Sequence, residues 1–317
     1  MVTVLLEYQV DFWAIGALPL GVALDLALGS FPGRPRACQP IVRLVELADR
    51  GLRGVLTRRG ETPRAELIAG LILDLIVMGL VGSLAWLAVD LLRLAGGPGT
   101  LVGRALIIAW GLSSGRLRSE TIQVARMADL AEARRAANRL IGLTASRLDL
   151  AGIRKACLQR LGERSTRQVI APLFWLAIGG AAGLWSYQAL DTLRTEVVDG
   201  RPRSRYFRFA TARLDEIACF VPARLTWLLL SLSAALLGQD GGSAFRFGRS
   251  QGRLHPDRPD LWGMATLDGS LGLQPGGPMQ GAPVETSTVR RAVWIVQAAG
   301  LHAAALAIAY RIIVFGG

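Results

Sequence analysis

Long uncharged apolar stretches constrain this chain more than any other feature, because each must be buried in protein or in lipid. The segment from Val169 to Leu190 carries no formal charge, although charged clusters flank it on both sides. A helix needs about 20 apolar residues to cross the hydrocarbon layer of a bilayer. The stretches that reach or nearly reach this length are Phe12 to Gly29, Leu67 to Leu92, Val169 to Leu190, Ile217 to Leu237 and Ala292 to Tyr310. The sequence therefore predicts an all-α, polytopic integral membrane bundle.

The composition supports this prediction, since 51% of the residues are apolar and the mean hydropathy is +0.37. A sixth stretch, Thr100 to Leu112, is predicted to be a partial span that pairs with Leu67 to Leu92. We therefore expect five or six membrane segments in a single domain covering residues 1–317. We expect polar loops at about 30–66, 113–168, 191–216 and 238–291. The first stretch is expected to be a retained helix rather than a secretory signal, because its front is acidic and Asp25 interrupts it.

The net charge of +12 comes from arginine-rich segments between the apolar stretches. Residues 30–66 contain eight arginines against four acids, and residues 113–168 contain twelve basic residues against five acids. Such loops orient membrane helices and contact anionic lipid headgroups, so we expect both on the cytoplasmic side of the inner membrane. The sequence has no groove-reading or base-stacking module, and no nucleic-acid partner is expected. The oligomeric state is open, including a homo-oligomer.

The glycines within Val169 to Leu190 offer two alternatives for its path. A straight helix would place Glu163 and Asp191 roughly 30 Å apart on opposite faces of the membrane. Gly179, Gly180 and Gly183 could instead let the chain turn back as a re-entrant hairpin, which requires burial of the irregular backbone in protein. Close packing of a straight helix through small residues is the alternative explanation for these glycines.

Two polar regions are given different secondary structures. Met127 to Arg160 is predicted to be an amphipathic helix, because Leu130, Ala133 and Ala137 recur at helical spacing. Gly238 to Pro283 is rich in glycine and proline, so it is predicted to be a loop or lid. The three cysteines and two histidines are too scattered to indicate a metal site.

Three short motifs follow one another through the second half of the chain. They are APLFW (Ala171 to Trp175), ARLDE (Ala212 to Glu216) and PARLT (Pro222 to Thr226). In this order and spacing they resemble the core of the adenosylcobinamide-phosphate synthase family, the CobD/CbiB proteins of cobalamin assembly. The resemblance extends from Asp25, which matches the family's aspartate in the first span, through the final apolar stretch.

The resemblance implies an amide-forming reaction between a carboxylate of adenosylcobyric acid and the amine of an amino-alcohol phosphate. A corrinoid and an amino-alcohol phosphate would then be the substrates. Amide formation from a free carboxylate is uphill in water, so ATP and magnesium are candidate cofactors, although the sequence identifies neither. It has no Walker-type phosphate loop, because the only lysine, Lys155, is not in such a motif.

Several polar positions depart from the family pattern. Arg167 and Arg194 each stand where the resemblance expects an aspartate, and Cys219 stands where it expects an asparagine. The element that reads His-Pro-Val-Arg in the family runs here from Gln39 to Arg43, without the histidine. The sequence therefore keeps the packing motifs of the family but loses several of its polar residues. Each acid-to-arginine exchange changes the local charge by two units and would repel a divalent metal ion.

The candidate site residues are border or intramembrane charges, which are costly without a partner. Glu163, Asp215 and Glu216 are the candidate catalytic acids, expected to converge in one pocket. The candidate substrate-binding residues are Asp25, Arg43, Asp191, Arg213 and Arg224. An alternative is a noncatalytic membrane paralogue with a scaffold or signalling role. A small-solute transporter is a third reading, weakened by the absence of paired repeat halves.

Overall fold

The computed structural model describes residues 12–29, 41–44, 63–141, 147–195, 205–255, 258–278 and 281–315, and every regular element in these ranges is helical. This confirms the all-α prediction. Most of the predicted polar loop at 30–66, with Gln39 and Pro40, lies outside the described residues. The main helices are α1 (Phe12–Leu28), α2 (Pro63–Leu91), α3 (Gly97–Gly111), α4 (Ser114–Arg126), α5 (Leu130–Ile141), α6 (Leu150–Arg164), α7 (Ala171–Leu193), α8 (Arg205–Leu236), α9 (Gly241–Leu254), α10 (Pro259–Ser270) and α11 (Thr286–Phe315).

Four helical segments are long and apolar enough to cross a membrane: Glu66–Leu94, Leu150–Leu193, Phe209–Leu236 and Thr286–Val314. A shorter apolar helix, Gly16–Leu28, accompanies them. Large apolar side chains stay exposed along α2, including Leu75 and Trp86. A surface of this kind suits lipid rather than water, and it confirms the membrane bundle.

The chain turns back on itself inside α7. Gly180 has φ 59° and ψ −148°, a combination that is essentially restricted to glycine. A side chain at Gly183 would collide with the carbonyl oxygen of Trp175, which in a straight helix would lie two turns away. The Tyr187 hydroxyl also reaches the carbonyl oxygen of Arg167, 20 residues earlier, at 3.2 Å. The segment is therefore a helical hairpin, as one of the two sequence alternatives predicts.

The short helix α3 packs mainly along α1, and it also contacts α2, the partner that the sequence predicted. Glycine makes this approach possible, because a Cβ atom at Gly21 would lie 2.7 Å from Cγ2 of Ile108. Contact between α3 and α2 is smaller in extent. The α1–α3 pair thus forms one wall of the bundle, and α3 contacts the hairpin helix α7.

The predicted single helix at Met127 to Arg160 is two helices, α5 and α6, which pack against each other. Ala133 and Ala137 are fully buried, and they share a small apolar core with Ile153 and Cys157. The predicted apolar face of α5 is therefore real, and it packs against protein. Asp149 begins α6 by accepting a hydrogen bond from the Gly152 amide at 2.7 Å.

The prediction of a loop or lid at Gly238 to Pro283 is wrong over most of its length, because α9 and α10 form a helical pair there. The Asp240 side chain caps α9 through the Ser243 amide at 2.7 Å. The glycines serve close helix contact: a Cβ atom at Gly252 would overlap the Trp262 ring, and one at Gly248 would overlap the Thr266 hydroxyl. Glycine content here reflects tight packing rather than chain flexibility.

Candidate functional site

The two arms of the hairpin bring their polar ends together at a place that we call the hairpin mouth, formed by residues 164–167 and 191–195. Arg167 lies at the start of the first arm and Arg194 at the end of the second, yet both guanidinium groups contact Asp215 of α8 and Asp260 of α10. Nε of Arg167 lies 2.6 Å from Oδ1 of Asp260, and Nε of Arg194 lies 3.2 Å from Oδ2 of Asp215. Arg167 also donates through Nη1 to Asp215.

These four residues, which we call the charge tetrad, form every possible arginine–aspartate pair. The tetrad is electrically neutral and largely buried, with side-chain exposures of 8% for Arg167, 2% for Asp215, 17% for Asp260 and 24% for Arg194. Buried ions are tolerated only with good partners, and removing one member leaves another uncompensated. The tetrad therefore ties both hairpin arms to α8 and α10.

A π-helical turn, Ser165–Ile170, sets the direction of Arg167. Turns of this kind are frequent at functional sites, because they rotate one side chain out of the helical register. The Tyr187 hydroxyl donates to the Arg167 carbonyl and lies 3.5 Å from Sγ of Cys219. That sulfur lies 3.7 Å from Oδ1 of Asp215, so the buried tyrosine and cysteine extend the polar network inward.

The second arm is fixed by side chains that donate to backbone carbonyls of neighbouring helices. Trp185 Nε1 donates to Ile107 at 3.3 Å, and the Ser186 hydroxyl donates to Met78 at 3.1 Å. Gln188 Nε2 donates to Gly111 at 2.6 Å. Asp191 and Arg194 follow within two turns, so their positions at the mouth are set by this anchored arm.

Asp191 differs from the tetrad acids in its surroundings. Arg167, Arg194 and Arg164 all act electrostatically on its carboxylate, together with Asp215. Within the described part of the chain, however, no hydrogen bond or ion pair engages that carboxylate, and the residue is partly exposed. Asp191 is thus a carboxylate that lies near three arginines but forms an ion pair with none of them among the described residues.

The other candidate acids each have an arginine one turn away on the same helix. Glu163 accepts from Arg160 at 2.9 Å, and Glu216 accepts from Arg213 at 2.6 Å. No hydrogen bond or ion pair in the described residues joins either glutamate to the Asp215 side chain. The structure therefore brings Asp215 and Asp191 to one place, while Glu163 and Glu216 lie in separate surface pairs.

The remaining candidate binding residues lie apart from the tetrad. Arg224 donates to the Phe220 carbonyl at 2.6 Å and covers the Phe220 ring at 3.5 Å from its centroid. Asp25 is buried and accepts from the Gly115 amide at 3.0 Å, which joins α1 to α4. Arg43 is exposed in the short described segment 41–44.

Sequence reasoning did not select Arg167, Arg194 or Asp260 as site residues. The signal for the two arginines was present, since both replace an expected acid, and in space they meet on the same two carboxylates. Asp260 had no such signal, because it falls in the region predicted to be a loop. The partners of a long-range ion network depend on the fold and cannot be read from spacing along the chain.

The described residues at the mouth do not fit a magnesium ion. Asp215 and Asp260 are the acids of the tetrad, and both face guanidinium groups that would repel a divalent cation. Across the described ranges, no group of three or more His, Cys, Asp or Glu side chains could hold a metal ion. The arrangement suits an anion better, because arginine forks match the geometry of phosphate and carboxylate oxygens.

Comparison with known proteins gives a consistent result. Residues 18–309 match the family model described as CobD/Cbib protein. A cobalamin biosynthesis protein CobD from Klebsiella pneumoniae is 35% identical over 262 residues, which is 80% of each chain. A second CobD, from Geobacter metallireducens, is 32% identical over 280 residues and 86% of each chain, and a CbiB from Salmonella choleraesuis is 31% identical over 258 residues and 80% of each. No solved structure matches the chain.

Proposed function

The chain belongs to the CobD/CbiB protein family, and on this premise we propose that it acts in cobalamin biosynthesis as an amide-forming ligase of the inner membrane. Its substrates would be adenosylcobyric acid and an amino-alcohol phosphate. The observation that carries the proposal is the family match over residues 18–309, which includes the whole hairpin and its mouth.

The hairpin mouth supplies groups suited to a phosphorylated amine. The phosphate would bind arginine side chains, with Arg194 and Arg164 the best placed because both act on the partly exposed Asp191. Asp191 would accept the ammonium group and take its proton, which is general-base work. The amine would then attack a carboxylate that ATP would first have converted into an acyl phosphate, so that phosphate leaves as the amide bond forms. Asp215 is engaged by two arginines, so its proposed role is to hold Arg194 in position rather than to transfer a proton.

The other candidate residues would not contact the reacting groups in this proposal: these are Glu163, Glu216, Arg213, Arg224, Asp25 and Arg43. Glu163 lies at the end of α6 beside the mouth, where its partly exposed carboxylate can approach a bound substrate from the surface. Arg213 and Glu216 form a surface pair on α8 that flanks Asp215 along the chain. Asp25 holds α1 against α4, so its contribution would be to the shape of the bundle.

Complementation of a bacterial strain that lacks adenosylcobinamide-phosphate synthase tests the proposal. The wild-type chain should restore growth that depends on converting cobyric acid to cobalamin, and Asp191→Asn should abolish the rescue at equal membrane expression. Asp90→Asn is a matched control, because Asp90 at the end of α2 pairs, among the described residues, with nearby Arg93. Failure of the wild-type chain to rescue, with normal membrane expression, would contradict the proposal.

A catalytically degenerate paralogue with a scaffold or signalling role is the second candidate function. The charge tetrad favours it, because its two arginines and two aspartates satisfy one another where the family pattern has acids. In that case wild-type protein and Asp191→Asn would both fail to complement while remaining folded. Rescue by the wild-type chain would eliminate this alternative.

A further inference from the structure

A cavity lies at the tip of the hairpin, at the opposite end from the mouth. Its volume is about 440 Å³, within the range of about 300–1,000 Å³ that is usual for ligand sites. The tip itself, residues 178–182, forms one wall. Other helices supply Leu18 of α1, Trp86 of α2, Arg104 of α3 and Arg311 of α11. Elements from both halves of the chain therefore meet around a space that the proposed reaction at the mouth does not use.

Two arginines of this cavity lie in apolar surroundings. Arg104 belongs to the short helix α3 and is only 4% exposed. Arg311, which is half-buried near the end of α11, donates from Nη1 to the Ala177 carbonyl at 3.2 Å. The same nitrogen would lie 3.5 Å from a Cβ atom at Gly180, so Arg311 covers the turn of the hairpin. A guanidinium group has five N–H donors and can therefore hold a protein oxygen and a bound anion together.

The charge of the cavity favours an anion. Among the described residues, three arginines and one acid line it, which gives a net charge of +2. The acid, Asp90, pairs with Arg93 at 3.3 Å on the exposed rim, so these two charges balance each other. Arg104 and Arg311 supply the net charge, beside apolar walls that include Leu176. An anion is attracted more strongly in such a low-dielectric setting than at an open surface.

The surface around the cavity suits lipid. Trp86 and Leu91 of α2 are exposed, and so is Ile178 at the hairpin tip. Trp86 and Leu91 lie toward the C-terminal end of α2, and Arg311 lies near the C-terminal end of α11; both helices are long enough to cross a membrane. The ends of spanning helices lie at the level of the lipid headgroups. The cavity therefore joins a cationic interior to a surface that acyl chains can cover.

We propose that this cavity binds one anionic phospholipid, with its phosphate on Arg104 and Arg311 and its acyl chains along Trp86 and Ile178. Basic pockets between membrane helices suit anionic headgroups for this reason. Phosphatidylglycerol brings negative charge alone, whereas phosphatidylethanolamine brings an ammonium group that two guanidinium groups would repel. The bound lipid would connect the hairpin tip to α2, α3 and α11. The proposal does not depend on the reaction at the mouth.

Native mass spectrometry of the full-length chain, delipidated in detergent, tests the proposal. Phosphatidylglycerol and phosphatidylethanolamine with identical acyl chains are titrated separately, and the dissociation constant of the first bound lipid is measured. We expect phosphatidylglycerol to bind at least about tenfold more tightly. Arg104→Gln and Arg311→Gln should each weaken its binding about tenfold, as expected when one charge-assisted hydrogen bond is lost. Arg249→Gln is the matched control, because Arg249 is exposed on α9 and does not line the cavity.

Three results would overturn the proposal. The first is equal affinity of the wild-type chain for the two lipids, which is the behaviour of lipid that only surrounds the protein. The second is unchanged binding of phosphatidylglycerol in both glutamine variants. The third is displacement of phosphatidylglycerol by equimolar glycerol 1-phosphate, because the acyl chains would then contribute nothing and the ligand would be a soluble phosphate.

Tryptophan fluorescence locates the bound lipid without changing either arginine, so this measurement stands even if an arginine variant fails to fold. Phosphatidylglycerol with brominated acyl chains quenches tryptophans that it contacts. At equal mole fraction in detergent micelles, it should quench the wild-type chain more than brominated phosphatidylethanolamine does. That excess should disappear in Trp86→Phe. An excess of the same size in Trp86→Phe would place the anionic lipid elsewhere and contradict the assignment.

Discussion

The charge tetrad predicts strong energetic coupling between Arg194 and Asp260. Arg194→Gln leaves Asp215 and Asp260 to share the single charge of Arg167, and Asp260→Asn leaves two arginines on Asp215. Breaking a buried pair costs about 3–5 kcal/mol, and we expect about 2 kcal/mol for each change, because both side chains are partly exposed and one partner remains. The double variant restores neutrality and keeps the Arg167–Asp215 pair. It should therefore be more stable than the sum of the single losses predicts, by about 1 kcal/mol or more.

A double-mutant cycle measures this coupling. The free energy of unfolding is determined in detergent by denaturant titration for wild type, both single variants and the double variant. The pair Arg213→Gln and Glu216→Gln is the matched control, because that exposed pair on α8 should couple by only 0.2–1 kcal/mol, a typical range for surface ion pairs. Additive losses for Arg194 and Asp260 would refute the view that four mutually dependent charges hold the hairpin mouth together.

Three further predictions follow from the fold. Gly180→Ala should destabilise the protein by about 1–3 kcal/mol, because alanine disfavours this positive φ, whereas Gly79→Ala in the interior of α2 should be neutral or stabilising in the same unfolding assay. Gly252→Ala should cost about 1–3 kcal/mol through overlap with Trp262, and an unchanged unfolding midpoint would contradict the close α9–α10 contact. Because the folded state raises the pKa of Asp268 from 3.8 to about 6, it binds a proton that the unfolded chain releases, so stability should fall by up to about 3 kcal/mol as pH rises through this interval. Asp268→Asn should remove that loss, and an identical pH dependence in the variant would show that another group is responsible.

The sequence offered the hairpin as one of two alternatives, because one element carries the whole signal. An uncharged stretch with three glycines between charged borders can be recognised locally, and Gly180 indeed adopts a backbone conformation that other residues avoid. Apart from the hairpin, apolar length predicted the long spanning helices, since a bilayer imposes a fixed thickness on any helix that crosses it. Such features depend on neighbouring residues and on the solvent, which are both visible in a single chain.

Features that depend on contacts between distant residues were not predictable in this way. The glycines at 248 and 252 are typical of a loop in the sequence, but in the structure they allow α10 to approach α9. This role depends on the side chains of Thr266 and Trp262, which face them from α10. The tetrad joins positions up to 93 residues apart, between Arg167 and Asp260. Two losses of acid along the chain thus looked like damage to a site, whereas in the fold they form a neutral network.

The central claim is that the chain reverses at Gly180 and brings Arg167 and Arg194 to one polar mouth. A pulsed electron-resonance distance between spin labels at Gln168→Cys and Thr195→Cys tests this most directly, with Cys38, Cys157 and Cys219 replaced by serine. Helices packed side by side lie roughly 10 Å apart, so the labels should be separated by about 20 Å or less. In a straight helix the 27 residue steps from Gln168 to Thr195 would place the two labels about 40 Å apart, and a measured distance near that value would contradict the hairpin.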